Sequence, residues 1–358
     1  PAHPLLYINT RVFSHARQHL TWDLTRYPEG RKINLRFIDL IVVLLFLFLG
    51  ARLGSIGIGI AGGFGVLVLA LVFGLEPGSI PIDVILIIMS VIAAIAAMQV
   101  AGGLDYLVQL AEKILRSNPK YITFLGPLVT YSMTIFAGTG LTAFSTLPVI
   151  AEVAKREGIR PSRPLSIATV ASQIAITASP ISAAVVFFAG ALEPIGVGYL
   201  ELLAIVIPTT FVAVMLTALV TNFLGKDLKD DPIYQDRLAR GLVALPTEDE
   251  RQQQDLPPGA KTSVLIFLIA IIAVVCYAMA ISSTIGLITD PVLKRDAAIM
   301  TFMLAAATAI ALFCKIDCNQ VLNAATFKSG MSACVCVLGV AWLGTTFVAA
   351  HIDEINVL

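Results

Sequence analysis

This sequence predicts an all-α polytopic membrane protein of about 9–10 membrane segments, and three observations predict it. From Asp39 to Leu358, long uncharged stretches alternate with short charged loops. Apolar residues make up 57% of the 358-residue chain and charged residues 13%, about half of the roughly 25% that a soluble domain devotes to charge. Two uncharged stretches, Tyr121–Ala151 and Pro164–Leu192, are too long for one upright helix and too short for two crossings, since a span takes about 20 residues. A soluble core would not need repeated charge-free runs of this length.

The segments follow in order. Residues 1–37 are polar, basic and unpatterned, with Arg11, Arg17, Arg26, Arg31, Lys32 and Arg36. They lack the apolar core and cleavage site of a secretory signal and form an unassigned basic tail. With Pro1 in first place, the chain reads as a fragment or a processed product. The uncharged intervals are Leu40–Ala51, Leu53–Leu75, Val84–Leu104, Tyr121–Ala151, Pro164–Leu192, Leu202–Gly225, Thr262–Thr289, Ala297–Cys314 and Ser329–Ile352. Leu40–Ala51 is short and reaches a full span if Arg36 and Asp39 sit at the interface. Gly57, Gly59, Gly62, Gly63 and Gly65 form a small-residue face for close helix packing. The chain then divides into a first transmembrane half (38–225), a cytoplasmic linker (226–261) and the start of a second transmembrane half (262–358). The linker is rich in both signs of charge and contains Asp230-Asp231-Pro232 and Pro257-Pro258-Gly259.

Basic residues set the sidedness. Lys113, Arg116 and Lys120 precede Tyr121–Ala151, and Lys155, Arg156, Arg160 and Arg163 follow it, so the positive-inside rule places both flanks in the cytoplasm. The stretch 121–151 must then enter and leave on one side, which a re-entrant hairpin achieves. Such backbone is tolerated at depth only where protein or a water-filled cavity covers it. Glu76–Asp83 and Glu193–Glu201 contain no Lys or Arg and read as external. Two features oppose strict alternation: Lys294 and Arg295 fall in a loop it places outside, and so does the basic tail.

The hairpin has a polar centre, Gly138, Thr139, Gly140, Thr142, Ser145 and Thr146. The glycines let the backbone leave the helix, and freed N–H groups with the hydroxyls can bind a carboxylate. A half-helix beginning after the break would add its positive dipole end. A kinked helix whose hydroxyls bond back to their own backbone accounts for the composition equally well, and the same-side topology favours the site. In the broken helix 164–192, Gln173, Thr177, Ser179, Pro180 and Ser182 form the second candidate set. Pro180 removes a backbone donor, leaving carbonyls and hydroxyls to find other partners; a packing kink with an interhelical hydrogen bond is the alternative.

Other polar residues carry less. Gln99 and Asp105 flank Gly102-Gly103 at a helix end, Arg52 reads as a snorkelling anchor, and Trp342 and His351 read as interface markers. Five cysteines without a Cys-x-x-Cys pair read as buried thiols. There is no Ser-His-Asp set, phosphate-binding glycine loop, metal-spaced His/Cys cluster or paired intramembrane carboxylate, so the reading is no enzyme, no metal and no cofactor. Zero net charge and the lack of a basic aromatic stripe argue against nucleic acid.

Several runs resemble one family. Gly50–Gly54, Met98–Leu107, Arg116–Thr123, Phe136–Gly140 with Leu147–Ala154, Gln173–Val186, Asp230–Tyr234 and Phe327–Gly344 are similar, in order and spacing, to the anaerobic C4-dicarboxylate transporter (Dcu) family, closer to its DcuA branch. The resemblance implies a multi-pass carrier of the bacterial inner (cytoplasmic) membrane that exchanges aspartate, malate, fumarate and succinate in fumarate respiration or aspartate uptake. It also implies the inverted-repeat fold of the ion-transporter superfamily, with a hairpin and an unwound helix per repeat around a central dicarboxylate site. On that analogy Gly138–Thr146 is a hairpin tip and Thr177–Ser182 an unwound segment. Family members continue beyond the position of Leu358, so the second repeat is expected to be incomplete, with one half-site present. The tail has no counterpart in the family. Partners on this reading are the dicarboxylate and the lipid bilayer, with a homo-oligomer and a membrane sensor kinase as further classes. The alternatives to exchange are sodium- or proton-coupled uptake, with Ser179–Pro180 carbonyls as a sodium site, and a non-transporting co-sensor.

Overall fold

The computed structural model describes residues 29–192, 196–243, 255–282, 287–288 and 290–355. Side chains at 29–36, 141, 142, 183, 186, 187, 190, 191, 353 and 354 lie outside that description, as do residues 1–28 of the tail. All regular structure among the described residues is helical. Among the described residues, five helices are long and apolar enough to cross a membrane: Ile82–Val100, Tyr199–Asn222, Ala260–Ile281, Arg295–Phe313 and Ala325–Ala350. The protein is a polytopic membrane protein. By contacts the chain forms two units, Pro1–Ile85 with Met331–Leu358, and Leu86–Gly330.

In the first unit, α1 (Glu29–Leu53) begins inside the stretch assigned to the tail. A helix nucleated by its apolar residues propagates readily into flanking arginine and lysine, which are good helix formers. It turns through Gly54 and Ser55 into α2 (Gly57–Leu71). The glycine face of α2 packs on the C-terminal portion of a helix spanning Ala325–Ala350. A Cβ built at Gly59 would collide with the backbone of Val335 and Cys336, one at Gly62 would sit 2.6 Å from the Gly339 carbonyl carbon, and one at Gly339 would enter the Gly59 backbone. Small residues let two backbones approach where lipid offers no hydrophobic drive to associate. Gly339→Leu is therefore expected to cost several kcal/mol of packing in this unit, beyond the roughly 1–3 kcal/mol of ordinary overpacking, because the obstacle is backbone. A thermal melt of the detergent-solubilised protein that stayed at the wild-type temperature would contradict this.

Trp342 and His351, read from the sequence as interface markers, each have a polar partner within this unit. Trp342 Nε1 donates to the Gly78 carbonyl at 2.9 Å, and buried His351 lies 3.3 Å from Asp39 Oδ2. Apolar surroundings leave each of these polar groups dependent on a protein partner.

In the second unit, which α3 (Ile82–Val100) enters at Leu86, that helix leads through Gly102 in a left-handed conformation to α4 (Gly103–Ser117). A 3₁₀ turn (Pro119–Tyr121) precedes α5 (Ile122–Ala137), a single helical turn (Leu141–Phe144) and α6 (Leu147–Arg156). Then come α7 (Ser162–Ile174), a 3₁₀ turn (Ala175–Ala178), α8 (Ala183–Leu192) and α9 (Tyr199–Asn222). Within the linker, Asp231 caps α10 (Pro232–Ala239) by accepting from the Ile233 and Tyr234 amides. Two long helices follow, α11 (Ala260–Ile281) and α12 (Arg295–Phe313), and α13 (Ala325–Ala350) begins here. Along α11, Val264, Phe267, Ile271 and Val274 are buried while Leu265, Ile269 and Ile272 are exposed. Two apolar faces of one helix fit core on one side and lipid on the other. The buried face joins Ile87, Val91 and Met98 of α3 and Ile299, Met303 and Ile310 of α12 in one cluster.

Candidate functional site

The two stretches of anomalous length fold against each other within the second unit. The chain reverses at Gly138, which ends α5 with φ +67°, a conformation that costs other L-residues about 1–2 kcal/mol. Helix α6 runs back beside α5: a Cβ on Gly126 would touch Ile150 at 3.5 Å, twelve residues on either side of Gly138. At the base, Arg116 makes a two-pronged ion pair with Glu152, at 2.7 and 3.2 Å, and a further bond to Glu112 at 2.8 Å. Hydrogen bonding to the Glu152 carboxylate pushes the Arg116 pKa above its ordinary value. Arg156 reaches the same carboxylate at 2.8 Å. The segments before and after the hairpin are thus pinned together at one end, and Gly138 lies at the other.

Helix α7 runs parallel to α5, with contacts in register. Pro164 O faces Gly126, Thr130 Oγ1 donates to Ala168 O at 2.8 Å, and Ser179 Oγ donates to Ile135 O at 2.7 Å. Ala168, Ala171, Ala175 and Ala178 are fully buried, small side chains that permit this closeness. Beyond the 3₁₀ turn, Ser179 is extended (φ −84°, ψ 126°), and the helix resumes only at Ala183. Ser182 opens α8 by accepting from the Val185 amide at 3.2 Å, as an N-terminal serine does.

The hairpin tip therefore meets the break. A Cβ on Gly140 would lie 2.6 Å from Gln173 Nε2 and 3.2 Å from Ser172 O, and one on Gly138 would lie 3.1 Å from Ile181. The single turn after Gly140 also packs against α7. Gln173 and Thr177, one helical turn apart, are exposed, as is Ser145; Thr139 is half-buried. Gly140, Thr146, Ser179, Pro180 and Ser182 are buried behind them. The Thr142 side chain lies outside the described residues.

Several hydroxyl protons are already committed. Thr146 donates to Ala143 O at 2.7 Å and Thr177 to Ile174 O at 2.7 Å, each closing a bond to its own backbone. Thr139 and Ser145 have partners of their own. Gln173 Nε2 makes only a long 3.4 Å contact with Ser172 Oγ, so its amide is the readiest donor on the exposed side.

Two contributors carried little signal in sequence. Tyr199 donates a short hydrogen bond, 2.5 Å, to the Pro180 carbonyl from the start of α9, and its ring lies under Arg295 at 5.8 Å. A tyrosine opening an apolar run marks a helix start, and nothing local points back across nineteen residues. Ser172 is buried, with its hydroxyl on Thr169 O and its carbonyl facing Gly140. Among the described residues no group of three or more His, Cys, Asp or Glu side chains could hold a metal ion.

A family model described as anaerobic C4-dicarboxylate membrane transporter matches residues 35–358. The C4-dicarboxylate transporter DcuA of Wolinella succinogenes is 68% identical over 318 residues, 89% of this chain and 73% of that protein. The DcuA of Escherichia coli K12 is 58% identical over 320 residues, covering 89% and 73%. An anaerobic C4-dicarboxylate transporter DcuB of Escherichia coli O6:H1 is 38% identical over 332 residues, again 89% and 73%. No solved structure matches. The match runs through the hairpin and the broken helix alike, and the chain belongs to the anaerobic C4-dicarboxylate membrane transporter family.

Proposed function

We propose that this protein exchanges C4-dicarboxylates (aspartate, malate, fumarate and succinate) across the bacterial inner membrane, and that Gly138–Thr146 with Gln173–Ser182 forms half of the substrate site. The observation that carries the reading is the meeting of tip and broken helix: Gly138 lies against Ile181 in the break, Gly140 against Gln173 and Ser172 just before it, and the Ser179 hydroxyl ties the break to α5. Interrupted helices at mid-membrane hold small anions in many carriers. On this reading Gly138, Thr139, Gly140, Thr142 and Ser145 shape the tip, and Gln173 and Thr177 face the substrate. Thr146, Ser179, Pro180 and Ser182 fix the geometry behind them.

The halves 38–225 and 262–358, joined by the linker 226–261, would stand as parts of two inverted repeats, with the half-site described here in the first. The carbonyls suggested for a cation each already accept one hydrogen bond, which leaves each a single lone pair for coordination. Pro180 O accepts from Tyr199 and Ser179 O from the Ser182 amide. A homo-oligomer and a membrane sensor kinase remain partner classes that copurification with the intact carrier would assign.

Counterflow of labelled succinate in proteoliposomes, driven by internal fumarate or aspartate, tests the site. Gln173→Ala is expected to raise the half-saturating succinate concentration about tenfold, the loss of one charge-assisted hydrogen bond at roughly 1.4 kcal/mol, without lowering the melting temperature. Ser179→Ala is expected to lower both transport and melting temperature, because that hydroxyl joins two helices. Sodium-free counterflow equal to that with sodium supports exchange; an absolute sodium requirement defeats it. An unchanged half-saturating concentration in Gln173→Ala removes Gln173 from the site.

A further inference from the structure

Along the first arm of the hairpin, the second unit contains a cleft of about 660 Å³ between α3, α4, α5 and α11, a volume typical of small-ligand sites. Its walls are apolar, formed by Leu107 and Ile114 of α4, Leu128 and Phe136 of α5 and Leu268 of α11, among others. At its rim Leu110, Ile114, Phe136 and Leu265 are exposed. Among the described residues, one cation lines the cleft. Lys261, in the first turn of α11, lines it with its ammonium 5.8 Å from the centre of the Tyr106 ring. Among the described residues Lys261 makes no ion pair.

We propose that this cleft is a binding site for an anionic phospholipid, with an acyl chain between α4, α5 and α11 and the headgroup phosphate on Lys261. An apolar wall of this extent disfavours a dicarboxylate, since Lys261 could pair with one carboxylate and the other would be buried without a partner. It suits hydrocarbon, and the cation lies at the linker end of α11, on the side the basic loops assign to the cytoplasm. Basic groups at the cytoplasmic mouth of a gap between membrane helices are how phosphate headgroups are recognised. Charge complementarity therefore selects the occupant: chain inside, phosphate at the mouth. On α5 the lining runs from Leu128 to Ala137, about 14 Å at 1.5 Å per residue. It ends one residue short of Gly138, so a seated chain would pack along the arm that carries the hairpin tip.

Native mass spectrometry of the intact carrier tests this, using mild detergent and equimolar phosphatidylglycerol and phosphatidylethanolamine. The wild type should retain one phospholipid with phosphatidylglycerol preferred. Lys261→Gln should lose that preference by about fivefold or more while keeping the fold, and Leu110→Trp, which fills the cleft, should lose bound lipid altogether. Equal retention in all three proteins overturns the proposal, and so does retention without headgroup preference. A wild type that retains no lipid and is destabilised by Leu110→Trp would mean that another part of the protein fills the cleft, which also overturns it.

Discussion

Gly140→Val is expected to reduce succinate counterflow at least tenfold while leaving the protein folded and inserted. The reason is steric and local. Even a single Cβ at Gly140 falls 2.6 Å from Gln173 Nε2 and 3.2 Å from the Ser172 carbonyl. The Gln173 amide is the far end of a flexible, exposed side chain and can swing away; the Ser172 carbonyl belongs to α7 and cannot. Alanine should therefore displace the amide and weaken substrate binding, and valine should also push the turn 141–144 off α7. Gly138→Ala acts differently. Its φ of +67° charges any L-residue about 1–2 kcal/mol, and its Cβ would crowd Ile181 at 3.1 Å, so it should lower the melting temperature as well as transport. Normal half-saturation in Gly140→Val would separate the tip from the substrate and refute the half-site.

How far this could be read beforehand depends on how local each cause is. The helix break at Ser179–Ser182 and the reversal at Gly138 were legible because proline and glycine act on their own backbone. The long helices α9, α11 and α12 were legible because lipid demands unbroken apolar length. Tertiary hydrogen bonds were not. Nothing near Tyr131 indicates that its hydroxyl reaches Ile207 O and Thr210 on α9, and nothing near Pro180 points to Tyr199. Hydroxyl composition also overstated the donors, since Thr146 and Thr177 bond to their own helices, a choice that composition leaves open. Arg116 and Arg163 counted only as loop charges that set sidedness, yet each has a specific partner.

Arg163→Ala is expected to be among the most destabilising single substitutions in the second unit, at roughly 2–4 kcal/mol. Arg163 lies in the first turn of α7 with its side chain buried. A cation is unfavourable beside that helix's own N-terminus, but the guanidinium reaches the far end of α9, where cations are favoured. There Nε donates to Leu224 O at 2.5 Å, Nη2 to Gly225 O at 2.6 Å and Nη1 to Asp227 Oδ1 at 2.7 Å. Asp227 is about half exposed, and such an ion pair contributes under about 1 kcal/mol. The two carbonyls dominate, since each charge-assisted bond contributes about 1.5–3 kcal/mol and leaves an unmet acceptor when lost. Asp227→Asn should therefore be nearly neutral and Arg163→Lys should recover only part of the loss, because a point charge cannot span both carbonyls as a planar fork does. Helix α9 also packs against α7 and the 3₁₀ turn before Ser179, so the same substitution should slow counterflow through a loosened break. A melt of Arg163→Ala at the wild-type temperature, or one no lower than that of Asp227→Asn, would show that the α9 terminus is held by something else.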